Sequence, residues 1–279
     1  MKERRFKQVD VFTPIAFRGN PVAVVLDGSE LTTEEMQHFT KWTNLSEATF
    51  LVPPTHPSAD YRARIFCPAG ELPFAGHPTL GSCHAWLEAG GLPRGEAVVQ
   101  ECGAGLIRIR RTDGSLFFQA PATLQAGPLP EPDVALIARG LGISRSEIVR
   151  HAWCNNGPKW RGIMLESAEK VLALRPDAAA LAGLFIGVAG LHREGSECAL
   201  EVRAFFPGNT GLAEDPVTGS FNAALAQWLI SEGIAPTRYV ASQGTALHRA
   251  GRVHVQRDEN GDVWVGGNSV TCINGTVLL

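Results

Sequence analysis

The sequence predicts an α/β (α+β) protein of two similar lobes, each with strands arranged around one helix. Three observations lead there: an internal repeat, two helices that carry almost no charge, and a high density of turn residues. Ala75–Leu87 aligns with Ala213–Leu225 at six identical positions of thirteen, where background composition gives roughly one. Upstream, Arg64-Ile65-Phe66-Cys67-Pro68 matches Arg203-Ala204-Phe205-Phe206-Pro207. Thr79–Leu87 and Val217–Ile230 contain no Asp, Glu, Lys or Arg. A helix neutral all round belongs in a core. Thirty Gly and eighteen Pro in 279 residues fit a turn-rich fold better than a helical bundle.

Each element follows from its local pattern. Phe6–Phe12 and Pro21–Leu26 read as strands joined through Gly19-Asn20-Pro21. Thr32 and Glu35 form a capping box for a helix ending near Trp42. Ala48–Val52 and Tyr61–Cys67 are strands. Pro78–Ala89 is the first neutral helix, with Pro at its first position and Gly90-Gly91 at its end. Three short strands follow: Ala97–Glu101, Leu106–Arg110 and Leu116–Ala120. Pro121–Pro132, rich in Pro, Gly and Gln, divides a lobe at 1–120 from one at 121–270. In the second lobe Asp133–Leu141 and Pro176–Leu184 read as helices. Gly162–Leu165, Phe185–Ala189 and Ala199–Phe206 read as strands. Pro216–Ser231 is the second neutral helix, closed by Gly233. Ala246–Gln256 and Asp262–Val270 form a hairpin around Glu259-Asn260-Gly261, and Thr271–Leu279 is a final strand.

Composition excludes several classes. The formal charge of −3 leaves no basic footprint for nucleic acid. No run approaches 18 apolar residues, so no membrane span is expected. Met1-Lys2-Glu3-Arg4-Arg5 leads into a strand pattern rather than a signal peptide. The six cysteines form no Cys-x-x-Cys pair and have no His at zinc-finger spacing, so no metal is expected. Reduced thiols in a cytoplasmic protein are the ordinary reading.

The starts of the two neutral helices are the places where chemistry could reside. A helix N-terminus offers unpaired N–H groups and a partial positive charge, which together attract an anion. Each such interaction contributes about 0.3–1 kcal/mol. Small residues at Pro78–Ser82 and Thr218-Gly219-Ser220 leave the backbone open to a carboxylate. In the aligned repeat His77 and Asp215 occupy the same place, each before a Pro. Alone, Asp215-Pro216 also reads as an ordinary helix cap, and His77 as a structural histidine. His84 reads as a core residue, and Glu47 at the entrance of a strand as a solvated turn residue.

Taken together, the motifs resemble a known family. Val9-Asp10-Val11-Phe12-Thr13, Gly19-Asn20-Pro21-Val22-Ala23, Asn44-Leu45-Ser46-Glu47-Ala48-Thr49-Phe50, Phe66–Thr79 and Glu214–Ser220 occur in the order seen in the PhzF (phenazine biosynthesis) family. The resemblance implies a diaminopimelate-epimerase-like fold. That is two pseudo-symmetric lobes, each a strand barrel around its helix, with the active site in the cleft between them and the last strand, about 271–279, returning to the first lobe. It implies a homodimer and a cofactor-free isomerase that shifts a proton within trans-2,3-dihydro-3-hydroxyanthranilate. Glu47, His77 and Asp215 match the family's catalytic residues. Asn20, Ser46, Gly76, Thr218, Gly219 and Ser220 match motif positions that would bind a small carboxylate substrate. Epimerases of this fold use a cysteine at the start of each helix, and neither segment carries one here. Two alternatives stay open: an isomerase or epimerase of another small amino or hydroxy acid, and a binding protein without catalysis.

Overall fold

The computed structural model describes residues 1–208 and 211–279. The chain divides into two compact units, one of Met1–Gln119 with Gly266–Leu279, the other of Ala120–Val265.

In the first unit β1 (Glu3–Val11) pairs antiparallel with β2 (Asn20–Val25). Helix α1 (Thr33–Thr43) crosses over to β3 (Ala48–Val52), which runs parallel to β2. The capping box forms, with Thr32 accepting from the Glu35 N–H and Asn44 closing the helix in the left-handed region at φ 56°. Strand β4 (Tyr61–Cys67) turns back into the short β5 (Gly70–Leu72), and then α2 (Gly76–Glu88) begins. Strands β6 (Val98–Cys102), β7 (Gly105–Thr112) and β8 (Ser115–Gln119) complete a meander, with β6 parallel to β4. Helix α2 buries Gly76 through Cys83, as its lack of charge requires.

The second unit uses the same grammar. It runs α3 (Glu131–Leu141), β9 (Ile148–Asn155), β10 (Lys159–Leu165), α4 (Ala168–Ala173), β11 (Phe185–Leu191), β12 (Leu200–Gly208), β13 (Gly211–Asp215), α5 (Gly219–Ser231), β14 (Arg238–Gln243) and β15 (Gly251–Arg257). Here β10 and β11 are parallel, like β2 and β3, and β12 and β14 are parallel, like β4 and β6. Strand β16 (Val263–Gly267) spans the boundary between the units, and β17 (Ser269–Leu278) pairs antiparallel with β1. Val134, Ile137, Ile163, Val188 and Phe205 build one apolar core, and Ala23, Met36, Phe50 and Phe66 another.

Several sequence-based expectations need correction. Pro176–Leu184 is a series of turns. The Asp177 carboxylate accepts from the Ala179 and Ala180 N–H groups at 2.9 and 3.2 Å, and Gly183 takes φ +78°, so the helix does not propagate. The crossover helix is α4, capped by Ser167. Strands β5, β9, β13 and β14 were not expected. Helix α2 starts two residues before Pro78, and α5 starts three residues after Pro216. The hairpin strand begins at Gly251, not Ala246.

The repeat itself has a different register in three dimensions. Phe66 opposes Glu71 in the β4–β5 pair, and Phe205 opposes Glu214 in β12–β13. In each case the Arg two residues before the Phe grips that Glu with two hydrogen bonds. Arg64 reaches Glu71 at 2.8 and 2.6 Å, and Arg203 reaches Glu214 at 2.9 and 2.7 Å. Each guanidinium also lies about 5 Å from the Phe ring, at 5.2 and 5.0 Å. Glu71-Leu72-Pro73-Phe74-Ala75-Gly76-His77 therefore corresponds to Glu214-Asp215-Pro216-Val217-Thr218-Gly219-Ser220. Ala75 and Thr218 are the helix caps, and Gly76 and Gly219 the first helical residues. His77 corresponds to Ser220, and Asp215 to Leu72. The six sequence identities lie five residues out of step with this frame.

A flat glycine surface seats α5. A Cβ on Gly187 would lie 2.0–2.3 Å from three Phe221 ring atoms. Gly187→Ala should cost about 1–3 kcal/mol in denaturant unfolding, whereas Gly95→Ala, which meets nothing within 4 Å, should be neutral. Equal stability of the two variants would contradict this packing.

Candidate active site

In the first unit, the residues singled out by sequence gather at the start of α2. Its cap, Ala75, has an extended backbone and no side-chain hydrogen bond to the helix. Gly76 and His77 follow, both buried. Asn20, fully buried at the head of β2, places its Nδ2 3.4 Å from His77 Nδ1. Glu47, immediately before β3, places Oε2 3.4 Å from His77 Nε2. The Glu47 side chain is 17% exposed and that of His77 only 6%, so the carboxyl has an opening that the imidazole lacks. Ser46 is half-buried beside it.

Burial pushes the His77 pKa down to about 3, opposed by a hydrogen bond to the Pro21 backbone. At neutral pH the ring is an uncharged partner with one N–H and one lone pair. A neutral neighbour leaves a carboxylate basic, whereas an imidazolium would acidify it.

The approach to Asn20 depends on a residue that sequence reasoning passed over. Asp10, 2% exposed, accepts from the Gly19 N–H at 2.9 Å. A Cβ on Gly19 would stand 2.1 Å from the Val11 carbonyl oxygen, so only glycine permits this close return of the chain. A charged residue inside the apolar run Val9–Phe12 was the available signal.

In the second unit, Asp215 ends β13 and is not a helix cap. Its Oδ2 accepts from Thr218 Oγ1 at 2.7 Å. Thr218 is the cap of α5, yet its side chain makes no capping bond. Ser220 Oγ accepts from Trp160 Nε1 at 3.0 Å, and the Ser220 carbonyl from Asn156 Nδ2 at 3.0 Å. The fully buried Gln243 stands behind the turn, on the unexpected strand β14, and no sequence signal marked it.

The cysteines take no part in either helix start. Cys83, Cys102, Cys154 and Cys198 are buried, and Cys67 and Cys272 half-buried. Burial pushes the Cys83 and Cys154 thiols up to about 12. His84 is half-buried rather than core, with Nε2 3.2 Å from Glu88 Oε1 and 3.2 Å from Thr271 Oγ1. Among the described residues no group of three or more His, Cys, Asp or Glu is placed to hold a metal ion, and no helix is long and apolar enough to cross a membrane.

Comparison with known proteins fits this arrangement. The family model for PhzC-PhzF, phenazine biosynthesis-like protein, matches residues 9–275. A Schizosaccharomyces pombe relative, antisense-enhancing sequence 1, is 39% identical, with 99% of each chain covered. A trans-2,3-dihydro-3-hydroxyanthranilate isomerase of Pseudomonas aeruginosa is 32% identical, again with 99% of each covered. The crystal structure of a Bacillus anthracis PhzF-family protein superposes with a TM-score of 0.85 at 22% identity, with 100% of both chains covered. The chain belongs to the PhzC-PhzF family and has its diaminopimelate-epimerase-like fold. It is an isomerase.

The buried histidine makes the protein sensitive to acid. Between its ordinary value near 6.5 and its folded value of about 3, the unfolded chain binds a proton at this position and the folded chain does not. Stability therefore falls as pH drops through that window. His84, His151 and His254 are also held low by burial and add to the slope. Replacing His77 by Gln should reduce the pH slope of unfolding free energy between pH 6 and 4 by about one bound proton. An unchanged slope in urea titrations at several pH values would show that His77 is not held neutral.

Proposed function

We propose that the protein moves a proton within a small cyclic amino carboxylic acid, with trans-2,3-dihydro-3-hydroxyanthranilate as substrate. The observation that carries this reading is the Glu47 carboxyl, 17% exposed, set 3.4 Å from a buried, neutral His77 at a helix start that no side chain caps. Similarity to the Pseudomonas isomerases supports the substrate.

Glu47 is the base. It takes a proton from an activated carbon and returns one elsewhere on the same π system, so no electrons are gained or lost overall. His77 orients Glu47 through its Nε2 edge, and Asn20 fixes the ring from the Nδ1 edge. The α2 start, at Gly76 and His77, holds the substrate carboxylate with backbone N–H groups, which also favour negative charge developing during proton removal. Ser46 lines the approach to Glu47. The second unit carries its own arrangement: Asp215 and Thr218 are hydrogen-bonding groups suited to an amino or hydroxyl function of a ligand, and Gly219 and Ser220 form that unit's uncapped helix start. No cofactor enters these steps.

Glu47→Gln keeps the shape and removes the base. Incubation with the substrate in D₂O should show deuterium entering the product with the parent protein. The rate should be about 10²–10⁴-fold lower in the variant. Near-normal turnover by Glu47→Gln would refute the role given to this carboxyl.

A further inference from the structure

Gln243 lies fully buried at the end of β14 and spends both ends of its amide on the turn that carries Asp215. Its Oε1 accepts from the Thr218 backbone N–H at 3.0 Å and from Asn222 Nδ2 at 2.8 Å. Its Nε2 donates to the Asp215 carbonyl at 3.1 Å and to Thr218 Oγ1 at 2.9 Å. The orientation of this amide is fixed by chemistry. A backbone N–H can only donate, so Oε1 must face Thr218 N, and a backbone carbonyl can only accept, so Nε2 must face Asp215 O. Asn222 is fixed in the same way, because its Nδ2 also donates to the Thr218 carbonyl at 2.9 Å.

This has a consequence one bond further on. Thr218 Oγ1 has a single hydrogen. Because it accepts from Gln243 Nε2, that hydrogen is directed elsewhere, and Asp215 Oδ2 stands 2.7 Å away. We infer that Gln243 is a positioning residue that forces the Thr218 hydroxyl to donate to Asp215, fixing that oxygen as an acceptor. In the aligned first-unit frame the position of Asp215 is held by Leu72, and that of Thr218 by Ala75, so the chain of donors belongs to the second unit's frame alone. Its catalytic meaning rests on the role proposed above for Asp215.

Glu214, next to Asp215 in the chain, is paired with Arg203, and Arg249 lies near the residue after Asp215, since a Cβ on Gly244 would be 2.7 Å from Pro216 O and 2.8 Å from Arg249 Cβ. None of these is altered by the substitutions below.

The test is the carboxyl ¹³C titration of Asp215, assigned by its loss in Asp215→Asn. Thr218→Val removes the donor and should raise the Asp215 midpoint by roughly one pH unit, the effect of losing a hydrogen bond to a charged acceptor. Thr218→Ser should restore the parent value. Gln243→Met, or Gln243→Asn if Met does not fold, should raise the midpoint in the parent and add nothing in the Thr218→Val background. An Asp215 titration unmoved by Thr218→Val overturns the proposal without any Gln243 variant. So does a Gln243 effect of equal size with and without the hydroxyl. Deuterium uptake by the parent protein is measured alongside. A parent that exchanges no substrate hydrogen while these titrations shift as described would remove the proposed reaction and leave the hydrogen-bond chain standing.

Discussion

Two helices that run through the cores of their units begin without a side-chain cap, and the arrangement of the site follows from that. Of the more exposed helices, α1 and α4 are closed by Thr32 and Ser167, while α3 begins after Pro130 without a side-chain cap. The buried helices α2 and α5 have no such cap. A buried helix start leaves N–H groups and a partial positive charge that need an answering group. Gly76 and Gly219, both buried, put no side chain over the backbone there, and the cap position of α5, Thr218, has its hydroxyl committed to Asp215. The chain holds these starts in place through the preceding hairpins. Each hairpin is locked by one Arg–Glu fork, a geometry that gives direction as well as attraction.

One frame is used in two ways. The position that carries His77 in the first unit carries Ser220 in the second. The position that carries Asp215 in the second carries Leu72 in the first. The first unit thus places an imidazole and the Glu47 carboxyl against its helix start, and the second places a carboxylate with a hydroxyl donor. Burial decides the state of the imidazole, because an ionised ring could not recover its lost hydration there. Its neutral form makes it an uncharged neighbour of the Glu47 carboxyl, 3.4 Å away.

Much of this was legible in the residues. The Thr32–Glu35 box, the alternation in Tyr61–Cys67 and the neutral helices all report local physics that the fold leaves intact. Glu47, His77 and Asp215 were singled out through motif resemblance, since their spacing alone also fits turn, core and cap residues. The register of the repeat was misread because Ala, Pro, Gly and Ser recur near both helix starts. The true register is fixed by contacts between strands, Phe66 with Glu71 and Phe205 with Glu214, that a linear alignment does not contain. Short strands such as β13 and β14 have too few residues for a period to show. Asp10 had a local signal, a charge inside an apolar run, whereas Gln243 acts through partners more than twenty residues back along the chain, so no local pattern announced it.

The central proposal is that an uncapped helix start, in either unit, receives a carboxylate. Amide ¹H–¹⁵N spectra recorded during titration with 2-aminobenzoate test it most directly. Saturable shifts at Gly76, His77, Gly219 and Ser220, weakened in the presence of competing benzoate, are the result expected. Shifts confined to other parts of the chain, or none up to millimolar ligand, would contradict it.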